Sequence, residues 1–172
     1  EVRTRAGLLA LGDALRDAAR PPASPELDPT RLPLADPEAL AAAVRPRLPP
    51  DDLDRLVGLA DAAADGRILC FSRELVDFGR PPDWRLDPHT GRRWPGGVHW
   101  SRALREARAL GDVKLTWEVG RFPHAYHMGR AAAMEPSRRE RAARELLAQL
   151  ESFVADNPRS RGVHWASSQE VA

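Results

Sequence analysis

A mainly helical fold is what this sequence predicts, and three observations predict it. Apolar residues recur at steps of three and four over most of the chain, the spacing that lines one face of a helix. Ser, Asp and Pro stand where helices begin, and Gly or Pro where they end. Only the run Ile68 to Phe78, ILCFSRELVDF, has the brevity and apolar character of strands.

The elements follow in order. Leu8, Leu11, Leu15 and Ala19 make a helical stripe within residues 4–20. Five prolines between 21 and 35 turn the next stretch into a linker or an extended wrap. Asp36-Pro37-Glu38 opens a helix: an Asp cap, a proline in the first turn and an acid at the positive end of the dipole. Pro46 stops that helix near Arg45. Asp51 to Asp65 is the next, with Gly66 as its C-cap. ILCFSRELVDF then supplies a short β-hairpin. Residues 79–100, GRPPDWRLDPHTGRRWPGGVHW, are too long for a plain connection, and long loops inside a domain often carry function.

Beyond that Trp-rich loop, Asp112 to Met134 reads as a helix with a kink at Pro123. Ser137 and Glu140 form a capping box for another, whose apolar face is Leu146, Leu147, Leu150, Phe153 and Val154. Asn157-Pro158 closes it. Ser167 and Glu170 form a second capping box, so a further helix begins where the sequence ends. Short joints between these helices suit antiparallel helical hairpins. Two parts are expected: a Pro-rich helical scaffold, 1–66, and a second part, 67–172.

Composition narrows the function. With 42% hydrophobic and 30% charged residues the chain is globular rather than disordered. A net charge of +1 gives no overall nucleic-acid footprint, and no nucleic acid is expected as partner. Arg80 to Arg130 carry ten basic against five acidic residues, a local excess that suits an anionic partner, although a solvated face accounts for it more simply. One cysteine, Cys70, excludes an internal disulfide and a CxxC site. No run approaches the length of a membrane span, so no membrane partner is expected.

All five Trp and all five His lie beyond residue 83, which puts recognition in the second half. Lys114, Trp117, Glu118, Arg121, His124 and Met128 recur at helical steps and would share one face able to grip an anionic ring-shaped ligand. A plain surface stripe with a Glu118–Arg121 pair explains the same spacing. Flat indoles beside Arg forks suit sugars bearing carboxylate or sulfate, and bases of single strands stack on the same groups. For any single Trp, anchoring the loop is the plainer role. The histidines have no metal-binding spacing, so neither metal nor cofactor is expected. No oligomeric state follows from the sequence.

Three stretches resemble successive motifs of the heparinase II/III family of polysaccharide lyases: DWRLDPHTGRRWPGGVHWSR, GDVKLTWEVGRFPHAYHMGRA and LAQLESFVADNPRSRGVHWASSQEVA. The resemblance spans roughly residues 67–172. It implies a partial (α/α) toroid, the front portion of the family's N-terminal helical domain, which cannot turn over by itself. Such lyases cleave uronic-acid glycans, heparan sulfate-like or alginate-like, by β-elimination without a metal. The proton beside the carboxylate leaves and the 4-linked sugar is expelled, which demands donors on the carboxylate. A periplasmic or secreted location is also implied.

Site residues follow from the same resemblance. His164 stands where the family often has an Asn that neutralises the carboxylate, and is the expected catalytic residue, as neutraliser, base or supporting donor. Trp165 would be a sugar platform, with Arg159 and Arg161 drawing in the anionic chain. Trp117, Glu118, Arg121 and His124 match the family's Trp-Glu-x-x-Arg-x-x-His helix and would line the cleft. The base and acid are expected outside this sequence. The alternative is a non-catalytic helical module that binds acidic glycans.

Overall fold

Aspartate and proline set the first two helices of the described residues. The computed structural model describes residues 36–106 and 111–166. Helix α1 (Pro37–Val44) starts on Asp36, whose carboxylate accepts from the Glu38 N–H at 2.9 Å. Helix α2 (Pro50–Ala64) follows, and Gly66 turns the chain at φ 82°. A Cβ there would lie 1.8 Å from the Gly79 carbonyl oxygen, so only glycine fits. The expected stripe of residues 4–20, the linker 21–35 and the Ser167–Glu170 box lie outside the described residues.

The hairpin is present. Strands β1 (Arg67–Cys70) and β2 (Glu74–Asp77) pair antiparallel with Ile68 opposite Val76. Alternation sends Ile68, Cys70 and Val76 inward. The Trp-rich loop holds a second small hairpin, β3 (Leu86–Asp87) with β4 (Arg92–Arg93). Helix α3 (Trp100–Glu106) follows. Then come α4 (Lys114–Gly120), α5 (Pro123–Met134) and α6 (Arg139–Asp156). Among the described residues the fold is mainly helical with two small antiparallel sheets.

Two expectations about these helices need correction. Asp112 to Met134 is not one kinked helix but two, because Phe122 sits in the left-handed region at φ 54°. Pro123 cannot donate to α4 and disfavours a helical residue before it, so the chain turns at Phe122 and restarts. The Ser137 capping box is not formed either. Pro136 begins a 3₁₀ turn that absorbs Ser137, so the cap position falls on Arg138, which makes no side-chain cap. Arg138 instead binds Glu135 and Asp61 at 2.6 and 2.7 Å.

Three clusters make the core of the described residues. Ile68, Cys70, Val76, Phe78, Trp84, Leu115 and Val119 join the first hairpin to the loop and α4, with Phe122 and Phe153 against them. Alanines 60, 63, 64 and 131 let α2, α5 and α6 approach closely around Met128. Trp94, Ala103 and Val163 pin the loop to the 3₁₀ turn Val163–Trp165. The described residues form one compact unit, in which α2 packs on α5 and β1 across residue 66.

Candidate functional site

One large groove opens beside the joint between α4 and α5. Its volume is about 930 Å³. Glu118, Gly120 and Arg121 come from the end of α4, Phe122 from the joint, and Pro123 and Tyr126 from α5. Leu150, Phe153 and Val154 come from the last turns of α6, and Asn157, Pro158, Arg159 and Trp165 from the segment after it. The floor is apolar and the charges are three: Glu118, Arg121 and Arg159.

The segment carrying Trp165 is tied down along its length. Asn157 ends α6 with both its backbone N–H and its side-chain amide on the Phe153 carbonyl, each at 2.9 Å, which is the helix stop its place before Pro158 suggests. Ser160 adopts φ 66° and its carbonyl accepts from Trp100 N–H; Gly162 N–H reaches the Val98 carbonyl. Trp165 then donates its indole N–H to the Asn157 carbonyl at 3.2 Å. That bond consumes the polar atom of the indole, leaving the ring as what it offers to the groove.

Glu118 organises the rim. One oxygen accepts the Phe71 N–H at 3.1 Å, fixing the tip of the first hairpin, and the other pairs with Arg121 at 3.3 Å. Arg159 is exposed and has no hydrogen bond or ion pair among the described residues. Tyr126, 68% exposed, projects from α5 with the Arg130 guanidinium 6.0 Å from its ring centre.

The sequence-predicted residues therefore separate into two groups. Trp165, Arg121 and Glu118 meet in the groove. His164 does not reach it. The ring is wholly buried, edge-on to Phe153 at 5.2 Å, and Nε2 lies 2.6 Å from the Trp84 carbonyl oxygen. A carbonyl only accepts, so Nε2 carries the proton. Gly120 separates this imidazole from the groove: a Cβ there would fall 2.4 Å from Nδ1. The ring expected to reach a substrate as neutraliser or base is instead part of the core behind the groove wall.

His124 and Trp117 also turn inward. The helix break at Phe122 rotates His124 into the core, 5.1 Å from the Phe122 ring and 6.5 Å from Trp84. Burial lowers its pKa to about 4; Gln149 lies close enough to oppose that shift but short of hydrogen-bond geometry. Trp117 donates its indole N–H to the Val163 carbonyl at 2.9 Å, bracing the turn that holds Trp165. The shared face of Trp117, Arg121 and His124 does not exist. Arg161 is elsewhere as well: it donates to the Gly97 carbonyl at 2.9 Å, and its backbone bridges His99. Trp84 and Trp94 are buried loop anchors, so the Trp-rich loop offers no stacking platform from them.

The groove residues that sequence reasoning missed are Leu150 and Val154, placed on the apolar face of their helix but 39% and 67% exposed as a groove wall. The signal was present. Five large apolar residues on α6 exceed what α2 and α5 can cover, and Leu147 is left 59% exposed by the same excess. Cys70 is buried and its thiol is pushed up to about 12 by burial and by Glu118 and Glu74, which makes it inert at neutral pH. Among the described residues no group of three or more His, Cys, Asp or Glu is placed to hold a metal ion. None of their helices is long and apolar enough to cross a membrane. No family model, curated protein or solved structure matches the chain.

Proposed function

We propose that this chain serves a polysaccharide lyase acting on uronic-acid glycans, and that its groove binds the acidic sugar chain. What carries the reading is one convergence. Trp165, Arg121 and Glu118, singled out from the motifs that resemble the heparinase II/III family, line one groove together with Arg159 and Tyr126. An indole face suits the C–H face of a pyranose, and guanidinium forks suit a carboxylate. The partial (α/α) toroid is part of this proposal and rests on the same motifs.

In the reaction, a base takes the proton at C5 beside the uronate carboxylate. The electron pair forms the C4–C5 double bond, the C4–O bond breaks, and an acid protonates the departing oxygen. Arg121 and Arg159 would steady the carboxylate as charge accumulates on it. Gel-purified protein is titrated with saturated oligouronates by calorimetry. Arg159→Ala is expected to weaken binding about tenfold, the worth of one charge-assisted hydrogen bond, without moving the melting temperature. Undetectable binding by the unaltered protein refutes the reading.

The second reading is a binding module without catalysis. It is favoured by a specific observation: His124 and His164 are both buried, so neither brings an imidazole to the groove. Ultraviolet absorbance from an unsaturated uronate, followed with protein carrying the whole open reading frame, separates the two. Binding without that chromophore supports the module.

A further inference from the structure

Away from the groove, two arginines and a histidine gather where α2 meets α5. We propose that this seam is a second binding site, which takes a single phosphomonoester group on Arg55, His127 and Arg130.

Packing brings the three together. Leu56 and Ala60 of α2 share one cluster with Met128 and Ala131 of α5. Arg55, His127 and Arg130 each stand one position before a residue of that cluster, at its margin. His127 and Arg130 are three apart on α5 and so share a side of the helix. Arg55 acts on the same imidazole from α2: burial first, then the charges of Arg130 and Arg55, lower the His127 pKa. The ring is therefore neutral at pH 7 and has one N–H to donate.

The positive charge there is uncompensated. Helix α5 contains no acidic residue. Among the described residues neither Arg55 nor Arg130 has an ion pair and His127 has no hydrogen bond; Arg130 meets the Tyr126 ring, 6.0 Å from its centre. Two guanidinium forks match the nearly two negative charges of a phosphomonoester, whereas a carboxylate would cancel one of them. The main chain beside them is bare. Gly58, one turn after Arg55, and Gly129, next to Arg130, are exposed, and a Cβ on either would meet nothing within 4 Å. Glycine weakens a helix relative to alanine and packing requires it at neither position, so its effect is to keep the approach to the guanidiniums open. Exposed Asp51, Asp52 and Asp54 bound the site along α2, which suits one phosphate group and opposes a polyanionic chain.

The test titrates the full chain with methyl phosphate, inorganic phosphate and acetate by calorimetry, at low ionic strength and about pH 7.5, where a phosphomonoester is a dianion. Methyl phosphate is expected to bind about tenfold more tightly than acetate. Arg55→Gln and Arg130→Gln, both at exposed positions, should each weaken it about tenfold and keep the melting temperature. The ring signals of His127 in nuclear magnetic resonance, assigned by their loss in His127→Gln, should move when methyl phosphate is added. No binding of methyl phosphate, equal affinity for acetate, binding of inorganic phosphate alone, or variants that bind like the unaltered chain overturns the site. Displacement of methyl phosphate by oligouronate also overturns it, since the anion would then sit in the groove. An oligouronate that fails to bind removes the glycan reading and leaves this site standing.

Discussion

Replacing His164 by alanine removes a ring that touches no solvent. Its loss leaves a cavity among Phe153, Gly120 and Trp84, and strands the Trp84 carbonyl that its Nε2–H now satisfies at 2.6 Å. Truncating a buried side chain of this size costs on the order of 3 kcal/mol once cavity and unsatisfied acceptor are both counted. For a domain of this length that is a fall in melting temperature of roughly 10 °C. His164→Asn keeps a donor and part of the volume, and should recover about half of the loss. Thermal unfolding followed by circular dichroism measures both variants. The groove lining is intact in each, so glycan affinity below the transition should change less than twofold. A His164→Ala protein that melts like the unaltered one would refute the burial argument; one that melts normally but no longer binds would return His164 to the site.

Acid should destabilise the fold through His124. Its folded pKa, about 4, lies below the ordinary 6.5, so between these values the unfolded chain binds the extra proton. Stability is complete above about pH 6.5 and falls by up to about 3 kcal/mol as pH drops towards 4, with His127, also lowered by burial, acting in the same sense. Urea titrations at several pH values should show this slope, and His124→Gln should flatten it. Gly66→Ala meets a backbone oxygen and a positive φ together, so expression of folded protein should collapse; a soluble variant with native circular dichroism would contradict the geometry. Arg85 grips Asp156 through two bonds of 2.9 and 2.8 Å, both partners being more than two-thirds buried. Arg85→Ala should cost about 1–2 kcal/mol in urea unfolding, and Arg85→Lys should recover less than half, since an amine cannot supply the fork.

How much of this was legible depends on how local the signal is. The Asp36 cap, the Gly66 stop, the first hairpin and the Asn157 helix end were all readable, because each is decided within a few residues. The Phe122–Pro123 joint was visible as a proline, but whether a chain bends or breaks there depends on what its neighbours pack against. Phe122 stacks 5.0 Å from Trp84, nearly forty residues away. That single break separates Arg121 from His124 and dissolves a face that spacing alone had assembled. His164 shows the same limit from the other side. A His-Trp pair next to a basic loop reads as exposed, whereas here the Trp lines the groove and the His fills the core, and nothing in five residues of sequence distinguishes them.

Phe122 and Phe153 belong at once to the groove and to the aromatic cluster around Trp84. Occupancy and folding are therefore thermodynamically linked through shared carbon surface. A ligand present at a hundred times its dissociation constant adds about 2.7 kcal/mol to the folded state, and thermal-shift screening can find such a ligand without any prior assay. The reverse also holds: substitutions that loosen the centre of this protein reshape what it recognises, so its selectivity and its durability cannot drift independently.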